Sequence, residues 1–304
     1  MIFKEYQDTR YLFQEIFRLA CFLAPVLHAE EFEAISAHAS ADYIRAKTAD
    51  GSYQDEAYAF GNGGYWSGPV NDKTIEKMDF LSIAHIVAAP LANQHYVPAK
   101  DPKKTKLLIM VYWGTTYAPE HASETQTYQN ESQVAQQLAD VESMIKYAGA
   151  KSLKPLRDAL DDSLTTAVAA TQAENRARDN VDRMNASMLG YDSWWNATFD
   201  APNGSALAID KADMLNELEE YRYFVVLMAY DFQLLASQKK HKLLWETRFS
   251  IRQHVNQFDK QLPAMALQAS KYFGKESSGL THDVLPEGRV EIGPVKDLGP
   301  VQDK

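Results

Sequence analysis

Apolar positions recur every second residue in some stretches of the chain and every third or fourth in others, and this change of rhythm divides it into elements. Residues 52–68, SYQDEAYAFGNGGYWSG, alternate Tyr and Phe with small or polar residues around a glycine cluster, which predicts a strand and a glycine turn. In TIEKMDFLSIAHIVAAPLANQ (74–94), Ile75, Met78, Leu81, Ile86 and Leu91 fall near helical spacing, and Pro90 is expected to bend or end that helix. HYVPA (95–99) reads as a short extended segment and KDPKK as a turn. LLIMVYWG (107–114) is an unbroken apolar run rich in strand formers, which predicts the middle of a sheet with both faces covered. Residues 30–50 read as a short polar helix or linker.

From about 131 to 188 strand formers thin out and Ala, Gln, Leu, Met and acidic residues favour helix. Val134, Leu138, Val141 and Ile145 make one stripe. Leu153, Leu156, Leu160 and Leu164 make another, continuing towards Val181, Met184 and Met188, with Gly149 between the two. This pattern predicts an αα-hairpin packed through its stripes. GYDSWWNATFDAPNG (190–204) reads as an irregular loop, and Asp210 as the cap of a short helix to about Glu220. YFVVLMAYDFQLL and KLLWETRFSIR, joined by a turn at ASQKKH, predict a β-hairpin in which Trp245, Phe249 and Ile251 share one face. Residues 259–274 read as a closing helix stopped by Gly274, and RVEIG (289–293) as a candidate edge strand in an extended tail.

The expected fold class is therefore α/β (α+β): a mixed β-sheet with packed helices and a large inserted helical hairpin. The sandwich spans 30–119 and 209–278, the insertion 120–208 and the tail 279–304.

Composition narrows the setting. The chain has 304 residues, 45% hydrophobic and 24% charged, as in ordinary globular proteins. Its formal charge of −10 opposes nucleic acid as a partner. RLACFLAPVLHAEEF (18–32) holds a nine-residue uncharged run from Leu19 to Leu27, with Arg18 before it and a small residue, Ala29, before two acids. These features predict a signal peptide over 1–29, cut after Ala29, and a periplasmic or secreted mature chain without a transmembrane segment. Leu19-Ala20-Cys21 offers a lipoprotein alternative, but the apolar run follows Cys21 where a lipid-anchor signal wants it upstream. Cys21 is the only cysteine, so the mature chain would hold no disulfide or thiolate ligand.

Two stretches carry a resemblance. LANQHYVPA leading into KTKLLIMVYWGTT, and the hairpin VVLMAYDFQLLASQKKHKLLWETRFSIR, resemble small α/β domains of bacterial envelope proteins. That class includes lipoproteins of unknown function and the periplasmic domains of curli-secretion and penicillin-binding-protein-activator lipoproteins. The likeness covers roughly half the chain and rests on element order rather than on a diagnostic motif. It implies binding or assembly work at the cell envelope.

Local catalytic motifs are missing from the sequence. No two histidines stand four residues apart, GNGG (61–64) lacks the Lys-Ser/Thr of a phosphate loop, and there is no G-x-S-x-G. No catalytic, metal or cofactor-binding residue is assigned on this basis, and no cofactor is expected. Asp231, inside an apolar strand, is expected to pair with Arg248 across the hairpin. Tyr65, Trp66, Trp194 and Trp195 flank loops and are candidates for holding a partner, either an envelope protein or a glycan. The functional expectation is a non-enzymatic exported envelope protein with a binding or assembly role. The alternative is an exported hydrolase or carbohydrate-active enzyme whose site is assembled from distant residues.

Overall fold

Seven strands form one mixed sheet in the computed structural model, which describes residues 31–285 apart from 199, 203 and 255. They are β1 (Phe32–Ala39), β2 (Glu56–Trp66), β3 (Tyr96–Pro98), β4 (Leu107–Thr115), β5 (Arg222–Asp231), β6 (Leu243–Arg252) and β7 (Leu280–Val284). Their order across the sheet is β3-β2-β4-β5-β6-β1-β7. β2 runs parallel to β3 and β4, and the remaining neighbours are antiparallel. Eight α-helices accompany the sheet among the described residues, so the fold is α/β with a mixed sheet. All these elements belong to one compact unit beginning at Phe32. The expected signal segment with Ala29, Cys21 and the RVEIG strand lie outside the described residues.

One face of the sheet is covered by α1 (Lys73–Glu76), α2 (Phe80–Asn93) and α8 (Phe258–Ala269). Asp79 caps α2, its carboxylate accepting from the Ser82 amide at 2.8 Å. Pro90 does not end α2 at once; the helix runs three residues further, to Asn93. Ile83, Val87 and Leu91 of α2 and Phe258, Leu262 and Met265 of α8 pack on Ile109, Val111, Val225, Leu227, Trp245 and Phe249. Trp245 has no exposed surface and lies between Phe273 and Tyr96, with ring centroids 5.9 and 5.6 Å away. Burying a large apolar side chain of this kind stabilises by about 1.5–3 kcal/mol through the hydrophobic effect alone.

The other face is covered by the C-terminal end of α4 (Lys154–Leu189), by α5 (Asp192–Thr198) and by α6 (Ala206–Leu218). Ala186, Leu189, Tyr191, Trp195, Met214 and Leu218 form a second core there with Ala34, Phe224 and Val226. Gly190 makes the close approach possible. It adopts φ +84°, and a Cβ there would stand 2.5 Å from Cβ of Ser36. The αα-hairpin forms as expected, from α3 (Gln126–Ala148) and α4, turning at Gly149 with φ +67°.

Several local expectations are corrected. Residues 32–39 are not helix or linker but strand β1, inserted between β6 and β7. FEAISAHA lacks a run of strand formers, and two flanking strands supply what propensity does not. The strand covered on both faces over most of its length is β5, buried from Arg222 to Leu227; β4 alternates buried with half-buried residues up to Tyr112 and is buried from Trp113 to Thr115. GNGG is not a turn: β2 runs through it with a bulge between Asn62 and Gly64. Gly61 and Gly63 leave room for Met110 and Tyr112, since a Cβ at Gly63 would fall 2.6 Å from the Tyr112 ring. The segment at 190–204 is partly helical, as α5, and α6 is capped by Ser205 rather than Asp210. Between β5 and β6, the FQLLASQ stretch is a helix, α7 (Phe232–Gln238), not a bare turn.

The expected Asp231–Arg248 pair does not form. Asp231 ends β5 and caps α7, accepting from the Leu234 amide at 2.9 Å. Arg248 sits opposite Val226, five residues away along β5, and binds Glu246 at 3.1 Å and the Ser187 carbonyl at 2.8 Å. The strand register decides this, and hydrophobic pattern alone does not reveal it.

Candidate functional site

The edge strand β7 places His282 opposite Ala34, on the face that carries the second core. Behind it, the last turn of α6 offers Glu217, whose Oε1 is 2.9 Å from His282 Nε2. The Tyr191 hydroxyl, just after Gly190, donates to the same carboxylate. The Arg222 guanidinium at the start of β5 lies 3.7 Å from Glu217 Oε2. Arg222 is itself buried and fixed, donating through Nε to Ser250 Oγ at 3.1 Å and through Nη2 to the Ser250 carbonyl at 3.2 Å. Four separate stretches of the chain, around residues 191, 217–222, 250 and 282, meet at this point.

Electrostatics follow from that geometry. Burial opposes ionisation of Glu217, but the His282 hydrogen bond, the Arg222 charge and the Tyr191 hydroxyl outweigh it and hold the carboxyl below its ordinary value. Glu217 therefore remains an anion. Burial, with the neighbouring carboxylate adding to it, pushes the Tyr191 hydroxyl well up, so that it stays a donor.

In front of this cluster lies a cleft of about 350 Å³ lined by Ser193, Trp194, Leu280 and His282. Trp194 stands edge-on to His282, with centroids 6.3 Å apart at 75°, and stacks on Tyr191 at 5.8 Å. Helical spacing in α5 explains the division of labour: Tyr191, Trp195 and Thr198 face inward, and Trp194 sits at the rim. A half-buried indole beside a histidine and a serine hydroxyl suits a ligand with both an apolar face and hydroxyl groups. A larger groove of about 450 Å³ runs along α3, but Ser123, Tyr128, Ser132 and four glutamines line it, and the only titratable group there is a phenol.

The four aromatic candidates fall in three different settings. Trp194 lines the cleft. Trp195 is buried in the second core. Tyr65 and Trp66 lie at the far end of β2, 40% and 52% exposed, with Tyr65 6.0 Å from Trp113 and Trp66 against Gly114. The sequence did not point to Tyr191, Ser193, Glu217, Arg222 or His282 as a site. His282 and Glu217 are 65 positions apart, and no local motif links them.

Compared with known proteins, the chain matches no family model and no curated protein. Among the described residues, no helix is long and apolar enough to cross a membrane.

Proposed function

We propose that this protein is an exported, non-enzymatic cell-envelope protein that binds a glycan in the cleft beside Trp194. The pairing of the Trp194 face with His282, held by an anionic Glu217, carries the reading. Sugar rings offer C–H faces that pack on indole and hydroxyls that exchange hydrogen bonds with histidine and serine. The pre-set orientation of His282 lowers the ordering cost of such contacts. Export is supported by the residues before Ala29 and by the start of the compact unit at Phe32, three positions beyond that cut.

Calorimetric titration of the purified protein with soluble peptidoglycan fragments and envelope oligosaccharides tests the binding role. Binding that disappears in Trp194→Ala and weakens in His282→Ala, with melting temperature retained, is the expected result. Glycan binding that survives Trp194→Ala overturns it. Intact-mass analysis of the chain from cell fractions checks export, the expected mass being that of a chain starting at Glu30.

A hydrolytic second reading has one observation in its favour: Ser193 lines the same cleft as the His282–Glu217 pair. These are the three side-chain types of a nucleophilic triad. Labelling by a fluorophosphonate probe that is lost in Ser193→Ala would establish that reading instead.

A further inference from the structure

The αα-hairpin leaves the sheet as an arm. Its base is tied down by Arg178, whose Nε donates to the Glu120 carbonyl at 3.1 Å, and by Asn185, which donates to the Tyr117 carbonyl at 2.7 Å. Beyond the Thr127–Glu174 hydrogen bond, α3 and the first half of α4 pack on each other. From Glu174 back to Lys154 is about 30 Å of helix at 1.5 Å per residue. Burial along this seam is thin, with Leu138 and Val141 its only well-covered apolar side chains on α3.

The tip of the arm has a charge unlike the rest of the molecule. Residues 143–157, SMIKYAGAKSLKPLR, contain Lys146, Lys151, Lys154 and Arg157 and no acid, whereas the remainder of the chain carries 41 acidic against 27 basic side chains. Arg157 is occupied by Glu142 and Asp158 at 3.4 and 3.2 Å. The three lysines are exposed and make no ion pair among the described residues. Acid resumes at Asp158, Asp161 and Asp162, so the sign of the charge reverses along the arm. Apolar side chains stand out among the lysines: Tyr147 is 76% exposed, Met144 51% and Leu156 49%. Lys146 Nζ lies 4.9 Å from the Tyr147 ring centroid.

From this combination we infer that the arm tip docks on a membrane surface of anionic lipid. Lysines pair with lipid headgroups, while tyrosine, methionine and leucine enter the interface beneath them; a polyanion without an apolar layer would leave those three side chains in water. The arm's length answers an electrostatic problem. The acidic body is repelled by an anionic surface, but screening confines that repulsion to about 8–10 Å at physiological salt, well short of the arm's reach. This inference does not use the cleft.

Sedimentation of the full chain with vesicles tests it, comparing phosphatidylglycerol-containing with pure phosphatidylcholine vesicles at low and high salt. The expected result is binding to the anionic vesicles, loss at high salt, and partitioning on the order of 100-fold weaker in the Lys146→Glu/Lys151→Glu/Lys154→Glu variant. Tyr147→Ser, which leaves every charge in place, should weaken binding by a smaller factor. Helicity measured by circular dichroism confirms that each variant keeps its arm. Equal binding to neutral vesicles, binding unchanged in the triple variant, or capture by heparin without capture by anionic vesicles would each overturn the proposal.

Discussion

The two faces of the sheet are built on different principles. On the face under α1, α2 and α8, large apolar side chains interlock, and Trp245, Phe249, Phe258 and Phe273 have almost no exposed surface. On the other face a smaller apolar cluster is bordered by Arg222, Glu217, Asp182 and Asn185. Buried ionisable groups cost desolvation energy that apolar side chains of similar volume avoid, so they are poor means of stabilising a fold. Buried charge is not confined to that face, since Glu33 has no exposed surface and Arg45 stacks on Tyr96 of the first core, but Glu217 and Arg222 are the charges that stand behind the cleft.

The comparison can be broken or sharpened by single substitutions. Trp245→Ala, on the apolar face, should cost about 3–5 kcal/mol by removing a buried indole and leaving a cavity; a loss below that of any second-face variant, measured by urea unfolding, would erase the contrast. Arg222→Leu, on the second face, should cost about 2–3 kcal/mol, because Glu217 and Ser250 lose a charged partner. The same change should bring Glu217 back towards its ordinary acidity. A carboxyl held low contributes stability above its unfolded pKa and loses it as pH falls through the folded value, so acid unfolding of the native chain should begin at lower pH than that of the variant.

Asp182 should behave in the opposite way. Burial first, then the nearby Glu219 and Asp179 charges, push its carboxyl up to about 7, and its Oδ1 has no hydrogen-bond partner among the described residues. A raised carboxyl binds its proton more tightly in the folded chain, so stability falls as pH rises from the ordinary aspartate range and levels off above about 7. Asp182→Asn should therefore stabilise by about 1 kcal/mol at neutral pH, with the gain shrinking in acid; a variant less stable at every pH would contradict this. The smallest effect belongs outside both cores. Asp231→Ala should cost about 0.5 kcal/mol through loss of the cap on the short helix α7, and Arg248→Ala should add to it independently, because the two side chains do not interact.

Much of the body is legible in the sequence. The apolar runs at 107–114 and 243–252 are strands and the leucine stripes form an αα-hairpin, while the single helix expected over 74–94 is two, α1 and α2, broken at residues 77–79. The errors have a common source. β1 is poor in strand formers and is stabilised by neighbours from far along the chain, β6 and β7. The GNGG segment looks like a turn when read alone and becomes a strand because Met110 and Tyr112 need the space its glycines leave. The insertion 120–208 reads as an outgrowth of the sheet; its distal arm is one, but Ala186, Leu189, Tyr191 and Trp195 near its end cover the second core. The candidate site was almost wholly hidden, with Trp194 the one residue singled out in advance that lines the cleft.

What the sequence determined by itself is whatever depends on neighbours a few positions apart: the periodicity that selects strand or helix, the caps, and the lysines gathered at one hairpin tip. Tertiary structure decided which groups meet. Tyr191, Glu217, Arg222 and His282 are spread over 92 positions, and a hydrogen bond between two of them needs placement to within a few tenths of an ångström. Hydrophobic patterning says which face of an element is covered, not which distant element covers it, so the pattern could yield the sheet and the arm while leaving the cleft unseen.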